Sequence, residues 1–292
     1  MDSNRMSFFI SEITKCISRL GVMYRVFYRE KTLHSLEEKI NKTPGKYSGE
    51  KKIQDIVGVR IALYFIDDID IVRNALEKNY VFMPNDSQID KPDIESFSAV
   101  RYNLIFKLPD NFDIKTLVPD EFHSFVDNTF ELQIRTILSE GWHEVDHDLR
   151  FKCKEHWKNL EKENRAFNGV YATLETSEWT LLKLFEDLAY THYKKMNIQA
   201  MIINKFRLRL KPSDLDEQLL HYLDGKNDLV KKIYRFERAR IIHNLSVRQV
   251  LPITMSNLIF IMNLDSLNDQ GITEIMPLKM SNWWSICRST SG

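Results

Sequence analysis

Residues 129–135 read TFELQIR, and the alternation in that segment constrains the fold more than any other feature of the chain. Phe130, Leu132 and Ile134 fall on one side and Glu131, Gln133 and Arg135 on the other, the period-2 pattern of a half-buried strand. Polar groups left unpaired away from water cost several kcal/mol, so the polar side must pair internally or line a cleft. A second segment, AVRYNLIFKL at 99–108, alternates Val100, Tyr102, Leu104 and Phe106 with Arg101, Asn103 and Lys107. VGVRIALYF at 57–65 reads as a third strand from its β-branched and aromatic content. Helical spacing covers 1–28, 32–41 behind a Thr32 N-cap, and 68–79. The segment 84–96 carries turn residues and predicts a loop.

After Thr136 the signal is almost wholly helical. Helices fit 137–152, about 160–197, 214–224 behind a Ser213 cap, 227–244 and 253–267. The expected fold class is therefore α+β: a mixed β-sheet flanked by helices over 1–152, followed by an all-helical domain over 153–292, with the boundary near 151–158. A length of 292 residues suits two domains at roughly 100–200 residues each. The 41 basic and 41 acidic residues cancel, which excludes a global field drawing the chain onto nucleic acid or anionic lipid; such binding needs a local patch. Cys16, Cys153 and Cys287 are too few and too scattered for a disulfide framework. The N-terminus carries Asp2 and Glu12, unlike a signal peptide, and the apolar run near 258–262 is far short of the roughly 20 residues a membrane span needs. A soluble, cytoplasmic protein without a membrane partner is expected.

Two carboxylates stand where strands bring chemistry together. Glu131 lies on the polar side of the 129–135 strand, and Asp55 stands at the entrance to the 57–65 strand. Carboxylates from separate strands meeting at one sheet face suit Mg²⁺, which accepts one or two of them plus phosphate oxygens. Upstream run Arg29, Lys31, Ser35 and Lys39, the last three at helical i, i+4, i+8 spacing. Point charges and a hydroxyl in a row suit a polyphosphate. A Walker A loop is absent, since Gly45-Lys46 lacks its upstream glycine.

RxKxxxSxxxK at 29–39, DIxGxRI at 55–61, Asp67-Asp68, and ELQIRT at 131–136 together resemble the synthetase domain of RelA/SpoT-type alarmone synthetases. Trp142, His147 and Phe151-Lys152 are similar to that family's W…H…YK helix. The resemblance covers about residues 15–152 and implies a nucleotidyltransferase-related sheet fold and a pyrophosphokinase that moves the β,γ-pyrophosphate of ATP to a ribose 3′-hydroxyl. It implies Mg²⁺ on Asp55, with Glu131 either a second ligand to the metal or the general base towards the 3′-hydroxyl. Arg29, Lys31, Ser35, Lys39 and Arg60 would hold ATP, and Phe97, Arg101, Gln133, Arg135 and His147 the acceptor. Positioning and charge neutralisation are what such a transfer needs most.

One segment departs from the family. In place of a Gly-Tyr-x-Ser-x-His element stands Ser96-Phe97-Ser98-Ala99-Val100-Arg101, where Phe97 can stack on a base. Between Pro84 and Ser96 lie Asp86, Asp90, Asp93 and Glu95 against Lys91 alone, which repels a 5′ polyphosphate by about 1 kcal/mol per close pair. The expected acceptor is therefore the 3′ end of tRNA, as in toxic, growth-arresting or phage-defence members of the family, with an antitoxin or trigger protein as a further partner. The alternative acceptor is GDP or GTP. Lys231, Arg235 and Arg238, read on one helical face, are the candidate RNA contacts.

Other readings of the same residues are weaker. His143, His147, Cys153 and His156 match no closed zinc spacing. Arg238-x₄-His243 fits the loose signature of HEPN-type ribonucleases, and an idle RNA- or protein-binding module is a reading of another class. Trp142 reads as packing.

Overall fold

The computed structural model describes residues 3–49, 51–90, 101–247 and 252–280. Two compact units divide the chain: 1–17 with 24–179, and 18–23 with 180–292. The first unit is built on a five-stranded sheet among the described residues, in the order β1-β2-β5-β4-β3. The strands are β1 (Tyr24–Glu30), β2 (Val57–Leu63), β3 (Gln88–Asp90), β4 (Arg101–Lys107) and β5 (Thr129–Thr136). β2 and β5 run parallel, and every other pair is antiparallel, so the sheet is mixed.

Alternation decides the two faces. Val57, Val59 and Ile61 of β2 stand level with Phe130, Leu132 and Ile134 of β5, and all six are buried. On that side lie α1 (Ser3–Ser18), through Phe9 and Ile13, and α3 (Ile69–Asn79), through Val72 and Leu76. Phe9 and Phe106 both meet the Phe130 ring, at 5.0 and 5.4 Å between centroids. Aromatic pairs of this kind add about 0.5–1.5 kcal/mol each beyond their area.

Two strands escape the sequence reading. Residues 24–30, assigned above to a helix over 1–28, form β1, and α1 stops at Ser18. As an edge strand β1 buries little besides Tyr24, and its short Tyr24, Val26, Tyr28 stripe is interrupted by Phe27 on the opposite side. Gln88–Asp90, expected within a loop, is a three-residue edge strand paired with β4. By contrast α2 (Leu33–Lys42) begins where expected, with the Thr32 side chain accepting from the Ser35 amide.

After β5 come α4 (Ile137–Val145), a π-helical segment Asp146–Phe151, and α5 (Glu161–Lys194). The line between the compact units falls inside α5, at Trp179–Thr180, whereas the sequence changes character near 151–158. The reason is packing. Trp142 of α4 stacks on Phe167 and packs at a tilt against Tyr171 of α5, and Thr136 donates to Glu178, so the early turns of α5 belong with the sheet.

The second unit is helical: α6 (Ile198–Phe206), α7 (Glu217–Leu223), α8 (Asn227–Arg235), α9 (Arg238–Val247), α10 (Met255–Met262) and α11 (Gln270–Ile275). Met201, Phe206, Leu219, Val230, Ile241 and Leu258 form its core. Gly21 belongs to this unit; its φ is +72°, and a Cβ there would stand 2.8 Å from Ile253 Cδ1. Asp216 caps α7 in place of Ser213. The helix expected over 227–244 is broken at buried Phe236. Among the described residues no helix is long and apolar enough to cross a membrane.

Candidate active site

The polar face of the sheet gathers most of the residues singled out from the sequence. Strand register sets three rows across it: Arg29–Gly58–Glu131, Phe27–Arg60–Gln133–Asn103–Gln88, and Arg25–Ala62–Arg135. Gly58 is where side-chain absence counts. A Cβ there would meet Arg29 Cγ at 3.5 Å and Nε at 3.7 Å, so the arginine lies across the glycine towards the Glu131 strand.

Asp55 is fixed just ahead of β2. Ile53 bridges to Val126, the Gln54 carbonyl accepts from Thr129 Oγ1 at 3.2 Å, and the Ile56 carbonyl accepts from the Lys31 amide at 2.8 Å. Its carboxylate takes Lys39 Nζ on one oxygen at 2.9 Å and Lys31 Nζ on the other at 3.0 Å. Burial alone would raise its pKa, but Lys39 and Lys31 together hold it below the usual carboxylate range. Glu131 goes the other way: burial and then the negative charge of Asp55 push it up, against Arg29, Lys39 and Lys31. The two carboxylates, 76 residues apart in sequence, are thus close enough to repel each other.

Beyond Glu131 the face is a continuous hydrogen-bonded chain. Gln133 Nε2 donates to Glu131 Oε2 at 3.3 Å, and Gln133 Oε1 accepts from Arg60 Nε at 3.2 Å and Arg135 Nη2 at 3.1 Å. Arg60 Nη1 donates to Glu140 Oε1 at 2.6 Å and also to Glu144. Arg135 Nη1 donates to the second oxygen of Glu140 at 3.0 Å. Burial lowers the Arg135 pKa and Glu140 opposes that. Glu140 and Glu144 escaped the sequence reading; their signal was a carboxylate pair at i, i+4 on the helix directly after a polar-faced strand. Tyr47, buried with Lys39 and Lys46 at 5.8 and 5.5 Å from its ring centre, was also missed.

Not every expected residue joins this group. Lys31 precedes α2 rather than sharing its face, and Arg29 projects from β1, yet Lys31 and Lys39 still converge on Asp55. Ser35 is exposed and its hydroxyl accepts from Thr32 Oγ1 at 2.9 Å. His147 pairs with Asp148 at 2.9 Å and stacks on Phe151. Phe97, Asp93 and Glu95 lie outside the described residues, and of Arg101 only the backbone is described. Trp142 packs, as read. Arg238 is not on one face with Lys231 and Arg235: it starts α9 and donates to the Phe206 carbonyl at 2.7 Å. The Asp67 side chain lines a cavity of about 530 Å³ at the far end of β5, together with Asp70, Glu175, Glu178, Tyr102 and Trp179. Asp55 and Glu131 are not among its walls.

Paired carboxylates in a cationic surround on a mixed sheet have the charge pattern that suits phosphate groups. Residues 28–156 match the family described as "Region found in RelA / SpoT proteins". The chain is 30% identical over 124 residues to the GTP pyrophosphokinase YjbM of Bacillus subtilis, covering 42% of this chain; it spans about half (54%) of that relative. Among solved structures, small alarmone synthetase 1 of Bacillus subtilis gives a TM-score of 0.46 at 21% identity, covering 61% of this chain and 88% of that one. A GTP pyrophosphokinase family protein of Streptococcus pneumoniae gives 0.39 at 17% identity, covering 64% and 95%. Over residues 28–156 the chain is thus similar to the region shared by RelA and SpoT proteins.

Proposed function

We infer that the first unit transfers the β,γ-pyrophosphate of ATP to the ribose 3′-hydroxyl of GDP or GTP. The observation that carries this reading is the convergence of Asp55 and Glu131 with Lys31, Lys39 and Arg29 on one sheet face. The relative named GTP pyrophosphokinase supports the guanine nucleotide as acceptor. In the transfer, the 3′-oxygen attacks the β-phosphorus, the bond from that phosphorus to the α-bridging oxygen breaks, and AMP leaves. Glu131 takes the hydroxyl proton, a task suited to a carboxylate lifted by burial and by Asp55. Lys31, Lys39 and Arg29 hold donor phosphates against developing charge.

The same carboxylate pair fits Mg²⁺, because two mutually repelling acids gain most from a shared cation. No cluster of three acidic, histidine or cysteine side chains able to hold a metal stands among the described residues, so phosphate oxygens and water would complete its coordination. Bound there, the ion would neutralise phosphate charge.

A second reading, transfer to the 3′ end of tRNA, draws on Asp90, whose register opposite Arg101 puts a carboxylate at the edge of the polar face. γ-Labelled ATP offered with GDP, GTP and deacylated tRNA in parallel separates the two. Label on GDP or GTP is expected; label on tRNA alone would replace the first reading by the second.

A further inference from the structure

The cavity of about 530 Å³ at the far end of β5 lies away from the carboxylate pair, and its size falls within the roughly 300–1,000 Å³ of small-molecule sites. Tyr102 and Ile134, level with each other on the apolar side of β4 and β5, stand in its wall. The long helix α5 supplies Glu175, Glu178 and Trp179, and the first turn of α3 supplies Asp70. Two guanidiniums also reach the cavity, but each is already matched by a carboxylate outside it. Arg73 holds Glu77 at 2.7 Å, and Arg135 holds Glu140 at 3.0 Å.

Glu178 is the informative residue. It is only 8% exposed, and its hydrogen-bond partners, the Thr136 hydroxyl and the Ser139 backbone, carry no charge. Buried carboxylates are normally matched by a cation or kept neutral. Burial raises the pKa of Glu178 and of Glu175 one turn earlier, and Glu175 adds to the rise at Glu178. A cation set between them would favour both charged forms at once. A metal ion is a poor fit, since it needs several oxygens within about 2.6 Å. No group of three acidic, histidine or cysteine side chains able to hold one stands among the described residues. The acids are instead spread over two helices, with the rings of Tyr102 and Trp179 and the side chains of Ile66 and Ile69 in the same walls. Spread acids among aromatic and aliphatic surface suit an organic cation: each ammonium meets a carboxylate or a ring face, and the methylenes between them meet apolar side chains.

We propose that this cavity binds a linear aliphatic polyamine, with one ammonium against Glu178 and Glu175 of α5, another against Asp70 of α3, and the half-exposed Trp179 at the mouth. Of the cavity walls only Arg135 also belongs to the hydrogen-bonded polar face, so occupancy does not depend on which acceptor the carboxylate pair serves.

Calorimetric titration of the full chain with spermidine at low salt tests it. Wild type is expected to bind one spermidine saturably and to melt at a higher temperature with it than without. Glu178→Gln is expected to bind at least about 10-fold more weakly, the effect of one charged hydrogen bond, and to lose the ligand-dependent rise in melting temperature. Trp179→Ala is expected to weaken binding about 2–5-fold through the lost ring face. Glu155→Gln, which removes an exposed acid outside the cavity, is expected to bind as wild type does. Equimolar Mg²⁺ is expected to leave spermidine in place. Non-saturable binding by wild type, unchanged binding in Glu178→Gln, an equal loss in Glu155→Gln, or displacement by equimolar Mg²⁺ overturns the proposal. Should Glu178→Gln fold poorly, Asp70→Asn, at an exposed position, and Trp179→Ala decide it: wild-type affinity in both overturns the site.

Discussion

The two faces of one strand, β5, carry opposite burdens. On one side Phe130, Leu132 and Ile134 are fully buried against aromatic and aliphatic neighbours. On the other, Glu131, Gln133 and Arg135 are only partly covered and every one of them is tied to another polar group. The apolar side contributes stability in proportion to area removed from water. The polar side costs desolvation and returns only part of it through pairing, a balance that is often neutral or unfavourable. A fold keeps such a face where the chemistry requires it.

Substitutions should therefore separate activity from stability according to the face they touch. The largest effect is expected from Glu131→Gln: pyrophosphate transfer from labelled ATP should fall about 10²–10⁴-fold, the range of a lost general base. Its thermal midpoint at neutral pH should not fall, because a carboxyl whose pKa folding raises is destabilising once ionised. A fall in the midpoint would make Glu131 structural. On the opposite face, Phe130→Ala should cost about 3–5 kcal/mol in urea unfolding while leaving the polar-face residues chemically intact. An unfolding free energy within 1 kcal/mol of wild type, about the effect of an average substitution, would contradict the central place given to that ring. Gly58→Val should push Arg29 off its path across the sheet and weaken AMPCPP binding about 10-fold, the worth of one charged hydrogen bond; Gly58→Ala, with its Cβ at ordinary contact distance from Arg29, should do much less.

The smallest effect lies at the end of β5. Burial, with Glu175 adding to it, raises the Glu178 pKa despite the hydroxyl of Thr136. The folded state thus binds this proton more tightly than the unfolded one, so stability is greatest below the ordinary value of 4.5 and declines as pH rises through the folded value. Glu178→Gln, still able to accept from Thr136, should raise the midpoint at pH 7.5 by about 2–4 °C per kcal/mol relieved. The gain should vanish below pH 4.5. A gain that persists in acid would point to packing instead.

Periodicity made β4 and β5 legible, and β-branched and aromatic content made β2 so, because each has one wet and one dry side or is dry on both. It failed for β1 and β3, edge strands whose residues answer to solvent and to a single neighbour. The carboxylate pair and the two lysines were legible from motif order, although Lys31 reaches Asp55 from the turn before α2 and not from its face. Glu140 and Glu144 were hidden for a different reason. Their meaning depends on Arg60, 80 positions away from the nearer of them, and a pairing between a strand and a helix across that distance leaves no local pattern. The same limit applies to Arg238, whose charge looks available in a basic run but is spent on the carbonyl of Phe206.

The parallel contact of β2 with β5 has a consequence for how the protein is made. Tyr24–Glu30, Leu33–Lys42 and Val57–Leu63 are neighbours along the chain and can associate early, complete with both lysines and Asp55. The strand that lodges between β2 and β4 is translated last of the five and pairs across more than 70 residues with β2. Long-range pairing of this sort forms slowly relative to local structure. A nascent chain shorter than about 136 residues thus holds a cationic half-cradle without its opposing acid. Competence for chemistry arrives in one step, with the insertion of a single central strand.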